Sequence, residues 1–353
     1  MNFNDIHDAK RFEIKLSNFC NSNSFSDSDE ELQKFMDSNF ITHDLYLKQF
    51  QLSKQTLNYN VIILDEAQDC TPCILDIILR QKHATKIIIG DPHQQIYGFR
   101  GVINPFDTIP KSRVTNTYTL STSFRFGYSL ALHASIFLSV FKNESISIKS
   151  NIHDTCVFYD ENDKFLIKGT LVLCRFNKNI IKNLFHFSNI YNKIYILGKT
   201  INVTKEIDII NDLANIGTLH VKNSKLKKFH SIDDTKEYFR SIGSTKWINR
   251  ITMFETFGLD GIHHWSNIEH KLTDFMDDAD IILSNAHQVK GMEFDHVYLP
   301  GWEEGIFPSS RALEQNSNKS LEEERRLAYV GITRAKYDLN LSYASSRYTY
   351  GIN

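Results

Sequence analysis

The chain has 353 residues, 41% hydrophobic and 23% charged, with a formal net charge of −2. That is an ordinary folded composition with room for two cores, and it excludes whole-chain basicity as a route to nucleic acid, so any phosphate contact must come from local basic clusters. No apolar run approaches the ~20 residues that a membrane span needs, the polar start MNFNDIHDAKRF has no signal-peptide core, and five scattered cysteines imply no disulfide framework, so a reducing cytoplasm is the expected compartment.

Residues 1–55 are mixed and polar around SNSFSDSDEE, and read as short helices with a loop. From Val61 the pattern changes to short β-rich runs followed by helical stretches: VIIL (61–64), KIIIG (86–90), TLVLC (170–174), KIYIL (193–197), DIIL (280–283), HVYLP (296–300) and LNLSYA (339–344). Unalternated apolar runs of this length suit strands buried on both faces of a parallel sheet, and their alternation with helices suits an α/β architecture. Between about 200 and 278 the rhythm weakens into charged, helix-like sequence, which reads as an insertion within the second α/β unit.

Several segments carry chemistry. In LDEAQD (64–69) an apolar strand runs into Asp65-Glu66, where Asp65 would hold Mg²⁺ and Glu66 activate water; the alternative is an acidic strand end with no role. Cys70 and Cys73 form a lone CxxC with no second pair, so they read better as part of a helix start, with Asp69 or Thr71 as the cap and Pro72 in the first turn. His263 and His264 read as surface histidines.

In IIIGDPHQQIYGFRG (87–101) a strand leads into a polar loop with Gln94 and Gln95, then Tyr97, Phe99 and Arg100. A glutamine at a strand end senses a γ-phosphate by hydrogen bonding, and aromatics beside an arginine stack bases; the alternative is that Tyr97 and Phe99 are core. Further on, Ser320-Leu-Glu-Glu323 reads as a capping box opening a helix that contains Gly331 and has Arg334 in its last turns, with Arg325 and Arg326 on its surface.

These motifs together resemble the UvrD/PcrA/Rep group of superfamily 1 helicases. ITHDLYLKQFQLSK (41–54), DEAQDCTP, GDPHQQIYGFRG and LSTSFRFG (120–127) resemble the F-box DNA helicase branch. TLVLCRFN (170–177), SNAHQVKGMEFDHVYLPGWEEGIFP (284–308) and LEEERRLAYVGITRAK (321–336) follow in the family's order, the last third resembling bacterial UvrD more closely.

The resemblance implies tandem RecA-like (P-loop NTPase) α/β motor domains that use ATP and Mg²⁺ to move 3′ to 5′ on single-stranded or 3′-tailed DNA in repair or recombination. It assigns Asp65 to Mg²⁺, Glu66 to the attacking water and Gln94 to the γ-phosphate. Arg125 and Arg334 become arginine fingers and Glu293 the ribose ligand. Tyr97, Phe99, Arg100, His287 and Lys290 fall at DNA or the interdomain surface, with Phe99 standing where many relatives have Trp.

A phosphate loop should read G-x-x-x-x-G-K-[ST] and precede DEAQD. The one near match, ILGKT (196–200), has Lys193 where the first glycine belongs and comes too late in the chain. The resemblance therefore implies an accessory-domain remnant over 1–55, the back half of the first motor domain over 56–118, the second motor domain over 119–199 and 279–353, and a reduced insertion over 200–278. A separate chain carrying the phosphate loop is one expected partner. The alternatives are a non-hydrolysing remnant that binds single-stranded DNA or a repair partner, and a decaying gene product.

Overall fold

The computed structural model describes residues 43–159, 166–199, 203–244, 246–252, 254–255, 268–300 and 318–341. The Ser/Asp-rich stretch near the start, His263-His264, and residues 301–317 lie outside them. The chain divides into two compact units, Met1–Thr119 and Leu120–Asn353.

In the first unit, helix α1 (His43–Ser53) meets helix α2 (Pro72–Arg80). Gln51 donates to the Asp76 carboxylate at 2.8 Å, and Arg80 donates to the Gln51 carbonyl at 2.7 Å. Thr71 caps α2, accepting from the Ile74 N–H, and Pro72 sits in the first turn where no N–H is needed. Cys70 and Cys73 are buried free thiols, and burial pushes the Cys70 thiol up to about 11.

Strands β1 (Val61–Leu64) and β2 (Thr85–Ile88) pair in parallel, Val61 opposite Thr85. Here the expectation of burial on both faces needs correction. One face carries Val61, Ile63, Ile87 and Ile89, all exposed, Ile63 at 60%. The alternate residues Ile62, Leu64 and Ile88 are only half-buried, so neither face of this two-stranded pair is closed over among the described residues.

The second unit holds a six-stranded sheet in the order β5-β10-β9-β6-β8-β7, with every pairing parallel. Its strands are β5 (Cys156–Phe158), β6 (Thr170–Cys174), β7 (Ile194–Ile196), β8 (Ile281–Asn285), β9 (Phe294–Leu299) and β10 (Ala335–Leu341). A short parallel pair, β3 (Thr122–Ser123) with β4 (Lys149–Ser150), lies apart from it.

The continuous apolar runs are explained by two cores. Leu171, Leu173 and Ile282 face one, with Leu130 and Phe137 of helix α3 (Tyr128–Lys142) and Tyr329 and Ile332 of helix α7 (Asn318–Ile332). Val172, Cys174, Ile281 and Leu283 face the other, with Ile180, Leu184 and Phe187 of helix α4 (Asn177–Ser188). Each fully buried Leu or Ile contributes about 1.5–3 kcal/mol.

The stretch read as an insertion has a core of its own. Helix α5 (Val203–Ala214) gives Ile210 to the sheet core but Ile209 and Leu213 to a separate cluster with Leu226, Phe239 of helix α6 (Ile232–Ser241) and Trp247. Phe239 and Trp247 stack with ring centroids 4.9 Å apart.

Two expectations for α7 are corrected. Ser320 lies inside the helix, which already includes Asn318, so it is not the cap. Arg334 lies beyond Ile332 and not in the last turns: its N–H bonds back to the Gly331 carbonyl at 3.3 Å, tightening the chain as it leaves the helix for β10.

Candidate nucleotide and nucleic-acid site

The sequence-predicted residues fall into both units.

In the first unit, Asp65 and Glu66 follow β1 directly and both are exposed. The Glu66 N–H donates to Asp65 Oδ1 at 2.9 Å, turning the chain sharply, with Glu66 at φ 49° and ψ 40°. The left-handed region costs a residue with a Cβ about 1–2 kcal/mol. The Ala67 N–H bonds to the Ile89 carbonyl at 2.9 Å, so the ends of β1 and β2 stay side by side.

Asp91, just beyond β2, organises the next loop. Its Oδ1 accepts from the His93 N–H at 2.9 Å and its Oδ2 from Gln94 Nε2 at 2.8 Å. Gln94 is half-buried and Gln95 buried.

The loop ends in an aromatic and cationic group. Tyr97 and Phe99 meet edge to face at 6.2 Å, and the Arg100 guanidinium lies 4.9 Å from the Tyr97 ring centroid and 5.7 Å from that of Phe99. Phe99 is 68% exposed, so it is not a core residue, whereas Tyr97 is half-buried. An exposed ring beside a guanidinium offers a flat, cationic surface of the kind on which bases stack.

In the second unit, the structure brings Arg125, Glu293 and Arg334 together around Thr333. Arg125 Nε donates to Glu293 Oε2 at 3.2 Å and its Nη1 to the Thr333 carbonyl at 3.2 Å. Arg334 Nη2 donates to Thr333 Oγ1 at 3.0 Å, its Nη1 to the Met292 carbonyl at 3.2 Å and its Nε to the Val330 carbonyl at 2.8 Å. Arg334 is 1% exposed.

The Arg125 hydrogen bond, together with Lys336 at 3.4 Å, holds the Glu293 carboxyl below its ordinary range. Thr333 was not singled out from the sequence, because a threonine beside an arginine carries no signal of its own. After β8, the Asn285 side chain accepts from the His287 N–H at 3.1 Å and the Gln288 N–H at 3.2 Å, fixing the turn that leads to Lys290. The near-match to a phosphate loop, Leu197–Lys199, is a tight turn with Gly198 at φ 74°, where an added Cβ would run into the Gln288 side chain.

Parallel α/β architecture is present in both units, with the acidic strand end and glutamine loop in the first and the Arg125, Glu293 and Arg334 group in the second. Residues 2–346 match the family of the UvrD-like helicase C-terminal domain, and the chain belongs to that family. It is 32% identical over 301 residues to F-box DNA helicase protein 1 of Schizosaccharomyces pombe, covering 80% of this chain and 34% of that protein. It is 31% identical over 327 residues to F-box DNA helicase 1 of Gallus gallus, covering 86% and 31%. To DNA helicase II of Escherichia coli (strain K12) it is 52% identical over 69 residues, covering 20% and 9%. The chain thus spans about a third of the length of the F-box relatives that it matches. No helix among the described residues is long and apolar enough to cross a membrane.

Proposed function

We propose that the chain is the C-terminal portion of an ATP-driven DNA helicase that moves 3′ to 5′ on single-stranded or 3′-tailed DNA in repair or recombination. It would take up ATP hydrolysis only with a polypeptide that supplies the phosphate loop. In this reading Met1–Thr119 holds the remnant of the accessory domain and the back half of the first RecA-like domain, and Leu120–Asn353 the second RecA-like domain with its reduced insertion. The observation that carries the reading is the loop from Asp91 to Arg100. It joins a glutamine beside the Asp65-Glu66 strand end to an exposed Phe99–Arg100 surface, as a coupling of phosphate to nucleic acid requires.

The residues fit the implied cofactors in part. Asp65 is an exposed carboxylate at a strand end, and Mg²⁺ is held by one or two carboxylates together with substrate phosphates and water; Asp65 would hold the ion, which supplies neutralisation of phosphate charge. Glu66 would take the proton of the attacking water and Gln94 would contact the γ-phosphate. Arg125 would contact the γ-phosphate, and Glu293 would hold the ribose. Arg334 fits less well as it stands: three of its nitrogens donate to Val330, Met292 and Thr333, so it reaches a phosphate only after leaving some of them. Tyr97, Phe99, Arg100, His287 and Lys290 would contact DNA.

The test is ATP turnover by the purified chain, with and without single-stranded DNA, alone and with a polypeptide carrying G-x-x-x-x-G-K-[ST]. The expected result is turnover only in the mixture, abolished by Glu66→Gln. A second reading, a non-hydrolysing DNA-binding remnant, is favoured by the inward engagement of Arg334; DNA binding without turnover in any mixture would select it.

A further inference from the structure

The acidic strand end and the Asp91 loop are joined by one side chain to which the family assignments give no role. Gln68 is 1% exposed. Its Nε2 donates to Glu66 Oε2 at 2.5 Å, its Oε1 accepts from the Asp91 N–H at 3.0 Å, and its backbone carbonyl accepts from Gln95 Nε2 at 3.0 Å. Asp91 in turn holds Gln94. One unbroken hydrogen-bonded chain therefore runs from the Glu66 carboxylate through Gln68 and Asp91 to Gln94.

Only an amide does this. One end must donate to a carboxylate and the other must accept from an N–H. Glutamate in that place would set like charge against Glu66, and leucine would take the acceptor from the half-buried Asp91 N–H. Two further features agree. An added Cβ at Gly90 would run into Gln68 Oε1 and stand 3.0 Å from the Ala67 nitrogen, so the close fit of Gln68 under the β2 end requires glycine there. And Glu66 keeps a left-handed backbone, a conformation that persists where the surroundings fix it.

We propose that Gln68 is a positioning residue: it orients the Glu66 carboxylate toward water and ties that orientation to the loop bearing Gln94, Tyr97, Phe99 and Arg100. The proposal rests on the reading of Glu66 as the water-activating group.

Amide hydrogen exchange over Asp91–Gln95 in the purified chain tests the tie. Gln68→Glu keeps the size and the acceptor for Asp91 but opposes Glu66, and is expected to speed exchange there about tenfold, the effect of losing roughly one charged hydrogen bond. The swapped pair Glu66→Gln/Gln68→Glu places the amide donor on the other side and should return exchange to within about twofold of native. Unchanged exchange in Gln68→Glu, or acceleration that the swap leaves in place, overturns the proposal.

With the phosphate-loop polypeptide added, Gln68→Glu should lower kcat about 10²-fold while KM for ATP holds, as expected for a misplaced catalytic group; an unchanged kcat also overturns it. Absence of turnover in the native mixture would sink the hydrolytic reading instead, and the exchange experiment would still decide whether Gln68 ties Glu66 to the loop.

Discussion

Phe99 and His133 lie at opposite extremes of exposure, and each yields a test. Phe99 presents its ring to solvent beside Arg100. Phe99→Ala should therefore weaken single-stranded DNA binding by about 1–3 kcal/mol, while Phe99→Trp should hold or tighten it; fluorescence anisotropy with an oligonucleotide reads both. His133 offers a test of burial alone. It lies inside α3 at 4% exposure, and burial pushes its pKa from 6.5 down to about 4. The neutral form is the buried one. The stability it contributes is complete above pH 6.5 and is lost as pH falls toward 4, on the order of 3 kcal/mol in all. Urea unfolding of His133→Gln between pH 7 and 4 should show a shallower loss than the native chain; an identical slope would refute the assignment.

At the scale of elements, the placing of α7 depends on a pair distant in sequence. Arg175, at the end of β6, donates from Nε to Glu324 Oε2 at 2.9 Å and from Nη2 to Glu324 Oε1 at 2.6 Å, with both side chains largely out of water. Removing one partner leaves an uncompensated charge, so Glu324→Ala should destabilise the second unit by about 3–5 kcal/mol, and a paired Arg175→Met/Glu324→Leu change should recover much of it. Denaturant midpoints would show whether it does.

The same scale shows what the sequence makes legible. TLVLC and DIIL read correctly as doubly buried strands, because a helix covers each face of their sheet. VIIL and KIIIG look the same on paper, yet Val61, Ile63 and Ile87 are exposed. Burial depends on what covers a strand, and the strand's own residues do not carry that information. The strand-end place of Asp65 and Glu66 and the loop place of Gln94 were legible because apolar β-forming runs precede them directly. Gln68, Thr333 and the inward turn of Arg334 were not, since their partners are main-chain groups or side chains that only the folded chain brings near.

For the whole molecule, the proposed reading gives each unit its own share of the chemistry: Asp65 and Glu66 at a strand end in the first, and Arg125 and Arg334 with Glu293 in the second. The chain's match to about a third of the length of its F-box relatives and the absence of G-x-x-x-x-G-K-[ST] from its 353 residues point the same way. On the proposed reading, the backbone amides and lysine that grip β- and γ-phosphates in P-loop enzymes come from another polypeptide. The decisive measurement is steady-state ATP hydrolysis by the purified chain with single-stranded DNA present. The account predicts DNA binding with no turnover until a polypeptide bearing the phosphate loop is added; DNA-stimulated turnover by the chain alone, abolished by Glu66→Gln, would contradict it.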